Sequence, residues 1–115
     1  MRKIVDDLIR IDGVIGSLLV GKEGLVVAST LLEDDEAEVL GAMAAAMFGT
    51  VAKATERIGV GPLDHTIIEA REGSIQMLEA EDLILVVIAD KRANLGYIRL
   101  EMRRAARRVR EAIPL

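Results

Sequence analysis

Few side chains in this sequence could carry covalent or acid–base chemistry, and none stands in the company such chemistry needs. There is one histidine, His65, and no cysteine. Without cysteine, disulfides, thiolate metal sites and thiol nucleophiles are excluded. Without a second histidine, a metal site would need carboxylates alone, and a lone strand histidine beside Asp64 reads as structural or solvated. Ser17, Ser29 and Ser74 have no motif around them that would activate a hydroxyl. Asp34, Asp35 and Glu36 could be taken for a carboxylate cluster, but helix capping accounts for them fully. Gly21-Lys22-Glu23-Gly24 is glycine-rich without being a phosphate-binding G-x4-G-K-[ST] loop. Gly59-Val60-Gly61 lacks the third glycine of a dinucleotide fingerprint, and it leaves a helix instead of opening one. No catalytic residue, cofactor or metal is therefore expected, and no enzyme activity.

The totals agree with a binding module. A length of 115 residues fits a single domain, 1–115, with one core. Hydrophobic residues make up 51% and charged residues 30%, which is globular and not disordered. The net charge of −4 is unevenly spread: Leu95–Leu115 holds six arginines and two glutamates, a sum of +4, which leaves −8 for the remainder. Asp6, Asp7 and Arg10 interrupt any apolar core a signal peptide would need. No stretch reaches the roughly 18 to 20 apolar residues needed to cross a bilayer. The expectation is a cytoplasmic chain without a membrane span, and the absence of cysteine is compatible with that.

Periodicity supplies the elements. Ile4, Val5, Leu8 and Ile9 recur at helical spacing within a short helix, Arg2 to Arg10, stopped by Asp12-Gly13. Val14 to Val20 is a strand that turns through Gly21–Gly24 into a second strand, Leu25 to Ser29. A long helix follows, capped by Asp34 or Asp35 with Glu38 as the capping-box partner of Asp35, and it ends near Ile58 at Gly59-Val60-Gly61-Pro62. Three strands come next: Asp64 to Arg71, Ser74 to Glu79, and Leu83 to Ala89. The last is seven apolar residues in a row, the mark of a central strand covered on both faces. Asn94 caps a final helix from Leu95 to Ile113. Tight turns between consecutive strands make the sheet mainly antiparallel. The predicted architecture is α+β: a three-layer α/β/α sandwich around a five-stranded sheet, in the order α-β-β-α-β-β-β-α.

The long helix is the unusual element. Val39 to Ala52 carries no charge, and half of it is Ala or Gly. On a helical wheel, Leu40, Met43, Ala44, Met47, Val51, Ala54 and Ile58 share one side, with Phe48 at its margin. Being the larger residues, they are expected to pack on the sheet. The opposite side carries Val39, Ala42, Ala45, Ala46 and Gly49, small residues that let another helix come close. A contiguous apolar strip on a small domain marks an interaction site, so a second copy or a partner protein is expected there. Cover by the chain's own loop or last helix is one alternative, and a surface of alanines that needs no cover is the other. The last helix has an apolar stripe of Leu95, Ile98, Met102, Ala105, Ala106, Val109 and Ile113. Its arginines read first as a solvated face, with Arg103, Arg107 and Arg110 as a possible contact for an acidic partner. Nucleic acid is disfavoured by the acidic total and by the presence of only two aromatics, Phe48 and Tyr97.

Taken in order, Leu8-x-x-Ile11-x-Gly13-Val14-x-Gly16-x-Leu18-Leu19-Val20, Gly24-Leu25-Val26-Val27-Ala28, the Ala/Met-rich helix, Leu83-Ile84-Leu85-Val86-Val87-Ile88 and Leu95-Gly96-x-Ile98-Arg99 with Arg103-x-Ala105-Ala106 resemble the roadblock family. That family includes dynein light chains and prokaryotic regulators of Ras-like GTPases. The resemblance covers about Ile4 to Ile113 and rests on joint order and spacing. It implies a profilin-like sandwich and a dimer with itself or a roadblock paralogue. In that dimer the long helix and the third strand meet their counterparts, which adds Lys53, Ile67 and Glu69 to the interface. It further implies a non-enzymatic regulator of, or platform for, a small Ras-like GTPase, with a passive scaffold subunit as the alternative and nucleic-acid binding a remote one.

Overall fold

The computed structural model describes residues 1–112; Ile113, the expected end of the last helix, lies outside them. Eight elements follow in the predicted order: α1 (Arg2–Leu8), β1 (Val14–Gly21), β2 (Val26–Ser29), α2 (Asp34–Arg57), β3 (His65–Glu69), β4 (Gly73–Ala80), β5 (Leu83–Asp90) and α3 (Leu95–Ala112). The strands form one antiparallel sheet in the order β2-β1-β5-β4-β3. The all-apolar run is thus the central strand. Alternation sends Leu85, Val87 and Ala89 of β5 to one face and Ile84 and Val86 to the other. The edges are β2 and β3.

The two faces are covered by different means. On one, α1 supplies Ile4, Val5 and Leu8, and α3 supplies Ile98, Met102, Ala105, Ala106 and Val109. This is the stripe read from the sequence. Asn94 caps α3 by accepting a hydrogen bond from the Tyr97 N–H at 3.0 Å. The buried Ser17 hydroxyl donates to the Val5 carbonyl at 2.7 Å and ties α1 to β1. Arg108 of α3 reaches the Asp7 carboxylate at 3.0 Å and holds its pKa below the ordinary value, linking the two helices of this layer.

On the other face α2 lies alone, mainly over β1 and β2. Its start differs from the predicted capping box: Glu33 is the N-cap residue, and no side chain bonds the first turn. The acidic first turn, Asp34, Asp35 and Glu36, still suits the helix dipole. Its end is as read. Gly59 takes a positive φ of 82°, and the Val60 and Gly59 N–H groups return to the Thr55 and Glu56 carbonyls, which closes a Schellman turn.

The helix is rotated about a quarter turn from the wheel assignment. Its buried residues are Ala37, Gly41, Ala44, Ala45 and Phe48. The cause is close approach. A Cβ on Gly41 would stand 2.7 Å from Val26 Cγ2, so the helix axis sits nearer the sheet than bulky side chains would allow. Small residues face the sheet, and Phe48 fills the space with Leu18, Val20, Met77, Ile84 and Val86. The larger residues are displaced sideways and outward: Met43 is 56% exposed, Ile58 is exposed, and Leu40 and Met47 are half-buried.

By length and composition α2 is also the one helix, among the described residues, that could cross a membrane. Here it packs on the sheet instead.

Candidate partner interface

The displaced bulky residues have a neighbouring surface that the described residues leave open. Ile88, Ile75 and Ile68 stand opposite one another across β5, β4 and β3. This row lies on the face that α2 partly covers, since Ile75 and Ile88 pack against the α2 core. It is only half-shielded, and Ile68 is 39% exposed. Beyond it β3 is a free edge. A half-covered sheet face, a helix flank of Leu40, Met43 and Met47, and an open strand edge thus make one continuous apolar shelf.

The predicted interface residues separate in the structure. Val39, Ala42, Ala46 and Lys53 are exposed on the outer side of α2, and Gly49 is half-buried with open space beyond its Cα. Ala45 is 8% exposed and belongs to the core against the sheet, so it is not on the partner side. Ile67 and Glu69 are exposed on β3, as a contact there requires. Sequence reasoning missed Ile68, Ile75 and Ile88. They come from three strands, and only the observed register makes them neighbours.

Arg103, Arg107 and Arg110 do line one groove, together with Asp64, Leu78, Glu79 and Ala106. Two of them are already occupied. Arg103 bonds Asp64 at 3.0 Å and Arg110 bonds Glu81 at 3.2 Å, so an acidic partner would have to compete with internal carboxylates. Arg107 has no ion pair among the described residues.

His65 is structural. Its Nε2 donates to Gln76 Oε1 at 2.8 Å, and Gln76 Nε2 donates to the Leu95 carbonyl at 3.1 Å. Gln76 is only 1% exposed, so this chain of bonds is the polar seam between β3, β4 and the start of α3. Burial lowers the His65 pKa, and Arg99 and Arg103 lower it further, against the raising effects of the Gln76 bond and Asp64. Above the unfolded-state value near 6.5, both states are neutral. Below it the unfolded chain takes the proton first, so stability falls with pH and levels off once the folded His65 is also charged. Urea unfolding at pH 7.5 and pH 5 is expected to show this loss. The His65→Gln variant is expected to show less of it, and an identical pH dependence in the variant would clear His65 of the effect.

Residues 2–89 match the Roadblock/LC7 domain family. The chain belongs to that family. An uncharacterized protein of Methanocaldococcus jannaschii is 44% identical over 108 residues, covering 94% of this chain and 92% of its own. The roadblock sandwich described above superimposes on a Roadblock/LC7 domain from Streptomyces avermitilis with a TM-score of 0.91 at 22% identity, covering 96% of this chain and 95% of that one. It matches MglB of Myxococcus xanthus with a TM-score of 0.87, also at 22% identity, covering 97% and 95%. At that identity the likeness is one of fold.

Proposed function

We propose that this roadblock chain is a cytoplasmic, non-enzymatic regulator that works as a dimer, of two copies or of one copy and a roadblock paralogue. The dimer offers its α2 surface to a small Ras-like GTPase. One observation carries the reading: the bulky flank of α2, the isoleucine row and the free edge of β3 form a single shelf that nothing among the described residues covers. A second copy set there would bury both shelves at once, as a twofold contact does. It would leave Val39, Ala42, Ala46, Lys53 and Arg57 on the outer side, apolar in the middle and charged towards the end. That outer side is the platform for a third protein. Family membership and the sequence resemblance support a Ras-like GTPase as that protein. Small-molecule substrates and nucleic acid have no place in this reading.

The test is to mix the purified chain with a small Ras-like GTPase in its GTP-bound and GDP-bound forms, following co-elution and GTP hydrolysis. A complex in at least one nucleotide state with faster hydrolysis is expected. Binding with an unchanged rate would make the chain a passive scaffold, and no complex in either state would remove the proposal.

A further inference from the structure

The sheet has a second open edge, and a trough runs along it. β2 is the outermost strand on the side opposite β3. Its ladder to β1 is short. The Thr30 N–H donates to the Ser17 carbonyl at 3.0 Å, and the Gly21 N–H donates to the Leu25 carbonyl at 2.7 Å. Between them Ser29 faces Leu18, Ala28 faces Leu19, and Val26 faces Val20 across a shift of register. Residues of an antiparallel ladder alternate in the side to which they bond. Thr30 bonds towards β1, so Ser29 aims its N–H and C=O at the open side. Val27 is the extra residue of the bulge and is exposed.

Val26 to Leu32 line a groove of about 520 Å³, flanked by Arg2 of α1 and by Asp34, Ala37 and Glu38 of α2. Through Thr30, Leu31 and Leu32 it runs into a second groove of about 420 Å³, completed by Ile15, Glu33 and Glu36. Leu32 is fully exposed, and Ile15, set out of register in β1 between Val14 and Gly16, is exposed as well. Two helices, an edge strand and four apolar side chains thus define one continuous trough.

Its rim has one sign. Glu33, Asp34, Glu36 and Glu38 have no ion pair among the described residues, whereas Arg2 is already held by Asp6 at 3.4 Å. Glu33, at the N-cap, makes no side-chain capping bond, so its carboxylate is not used there. We propose that this trough docks an extended segment of a partner protein, rich in apolar residues and in lysine or arginine. The segment adds to β2 through the outward backbone of Ser29. Its apolar side chains lie on Val27, Leu31, Leu32 and Ile15, and its cations meet the four carboxylates. An acidic segment or a nucleic acid would meet like charge. A helix would satisfy its own backbone and leave the open edge unused. Because β2 and β3 are opposite edges, such a partner and a second copy can be held at once, and the proposal does not rest on the dimer.

Fluorescence anisotropy with a labelled peptide of about nine residues, alternating lysine and valine, tests this on the whole chain. Saturable binding is expected. Peptides with serine in place of valine, or glutamate in place of lysine, should bind at least about tenfold more weakly. The lysine–valine peptide methylated on every backbone nitrogen should not bind, because it cannot pair with a strand edge. Leu32→Ser and the double variant Glu36→Lys/Glu38→Lys change exposed positions, where the fold loses little, and each should weaken binding about tenfold. Glu56→Lys, at the other end of α2, should leave it unchanged. Equal binding of the lysine–serine peptide would reduce the contact to attraction between opposite charges and overturn the proposal. Binding kept by the methylated peptide, binding indifferent to both trough variants, or no binding at all would overturn it too. If the unsubstituted chain assembled beyond two copies and Leu32→Ser abolished that assembly, the trough would hold another copy instead of a partner segment. All these outcomes leave the β3-side dimer to be judged separately, by the mass of the Leu32→Ser chain.

Discussion

Met43→Glu is expected to turn the dimer into a folded monomer. Met43 is 56% exposed in the single chain, so a glutamate there meets water and costs the fold little. In the proposed dimer the same side chain faces the apolar shelf of the mate, and a carboxylate would be desolvated without a partner. Twofold symmetry doubles that cost. About 3 kcal/mol or more across the pair weakens the dissociation constant by more than about a hundredfold. Sedimentation of the variant over a concentration series reads this directly. Lys53→Glu, on the outer side of α2, is the control and is expected to leave the dimer intact. A Met43→Glu dimer as tight as the unsubstituted one would place the contact elsewhere.

Phe48→Ala is expected to be the most damaging single truncation in α2. The helix meets the sheet through Ala37, Gly41, Ala44 and Ala45, which allow close approach but contribute little area. Phe48 is the large side chain that α2 places in that core, 4% exposed among Leu18, Val20, Met77, Ile84 and Val86. Removing its ring costs about 3–5 kcal/mol through lost burial and the cavity left behind. Against a total of about 5–15 kcal/mol, that is a large share of the stability of a small domain. Urea unfolding followed by circular dichroism should show a sharply lower midpoint. Met43→Ala, which truncates a side chain on the open flank, should change the midpoint of the monomer by less than about 1 kcal/mol equivalent. Equal losses from both substitutions would contradict the rotation of α2 that buries Phe48 and exposes Met43.

That rotation also marks the limit of what the sequence disclosed. The elements were legible because each has its own local cause. The apolar run Leu83 to Ala89 can only be a central strand, Asn94 can only open a helix at the right place, and Gly59 supplies the positive φ that closes α2. Which side of α2 faces the sheet was not legible, because the same residues allow two answers. A face of Ala and Gly lets a second helix approach closely, and it lets a sheet approach just as closely. The contact of Gly41 with Val26 shows that the sheet took it. Size alone put Met43 inside and Ala45 outside, and close approach reversed both.

The rest depended on long-range partners. Arg103 bonds Asp64 across 39 residues of sequence, and the buried Gln76 reads as one polar residue in an alternating strand until His65 and the Leu95 carbonyl flank it. The isoleucine row needs the register of three strands at once. Tertiary register carries no local signature, so the shelf that organises the proposed interface emerges only from the folded chain.

The most direct test of the account is the solution mass of the unsubstituted chain at micromolar concentration, by light scattering coupled to size exclusion. One chain weighs 12.5 kDa. Two chains joined through the α2 flank and the β3 edge give twice that, about 25 kDa, and this is the result the account predicts. A single species at the mass of one chain, unchanged as concentration rises, would contradict it.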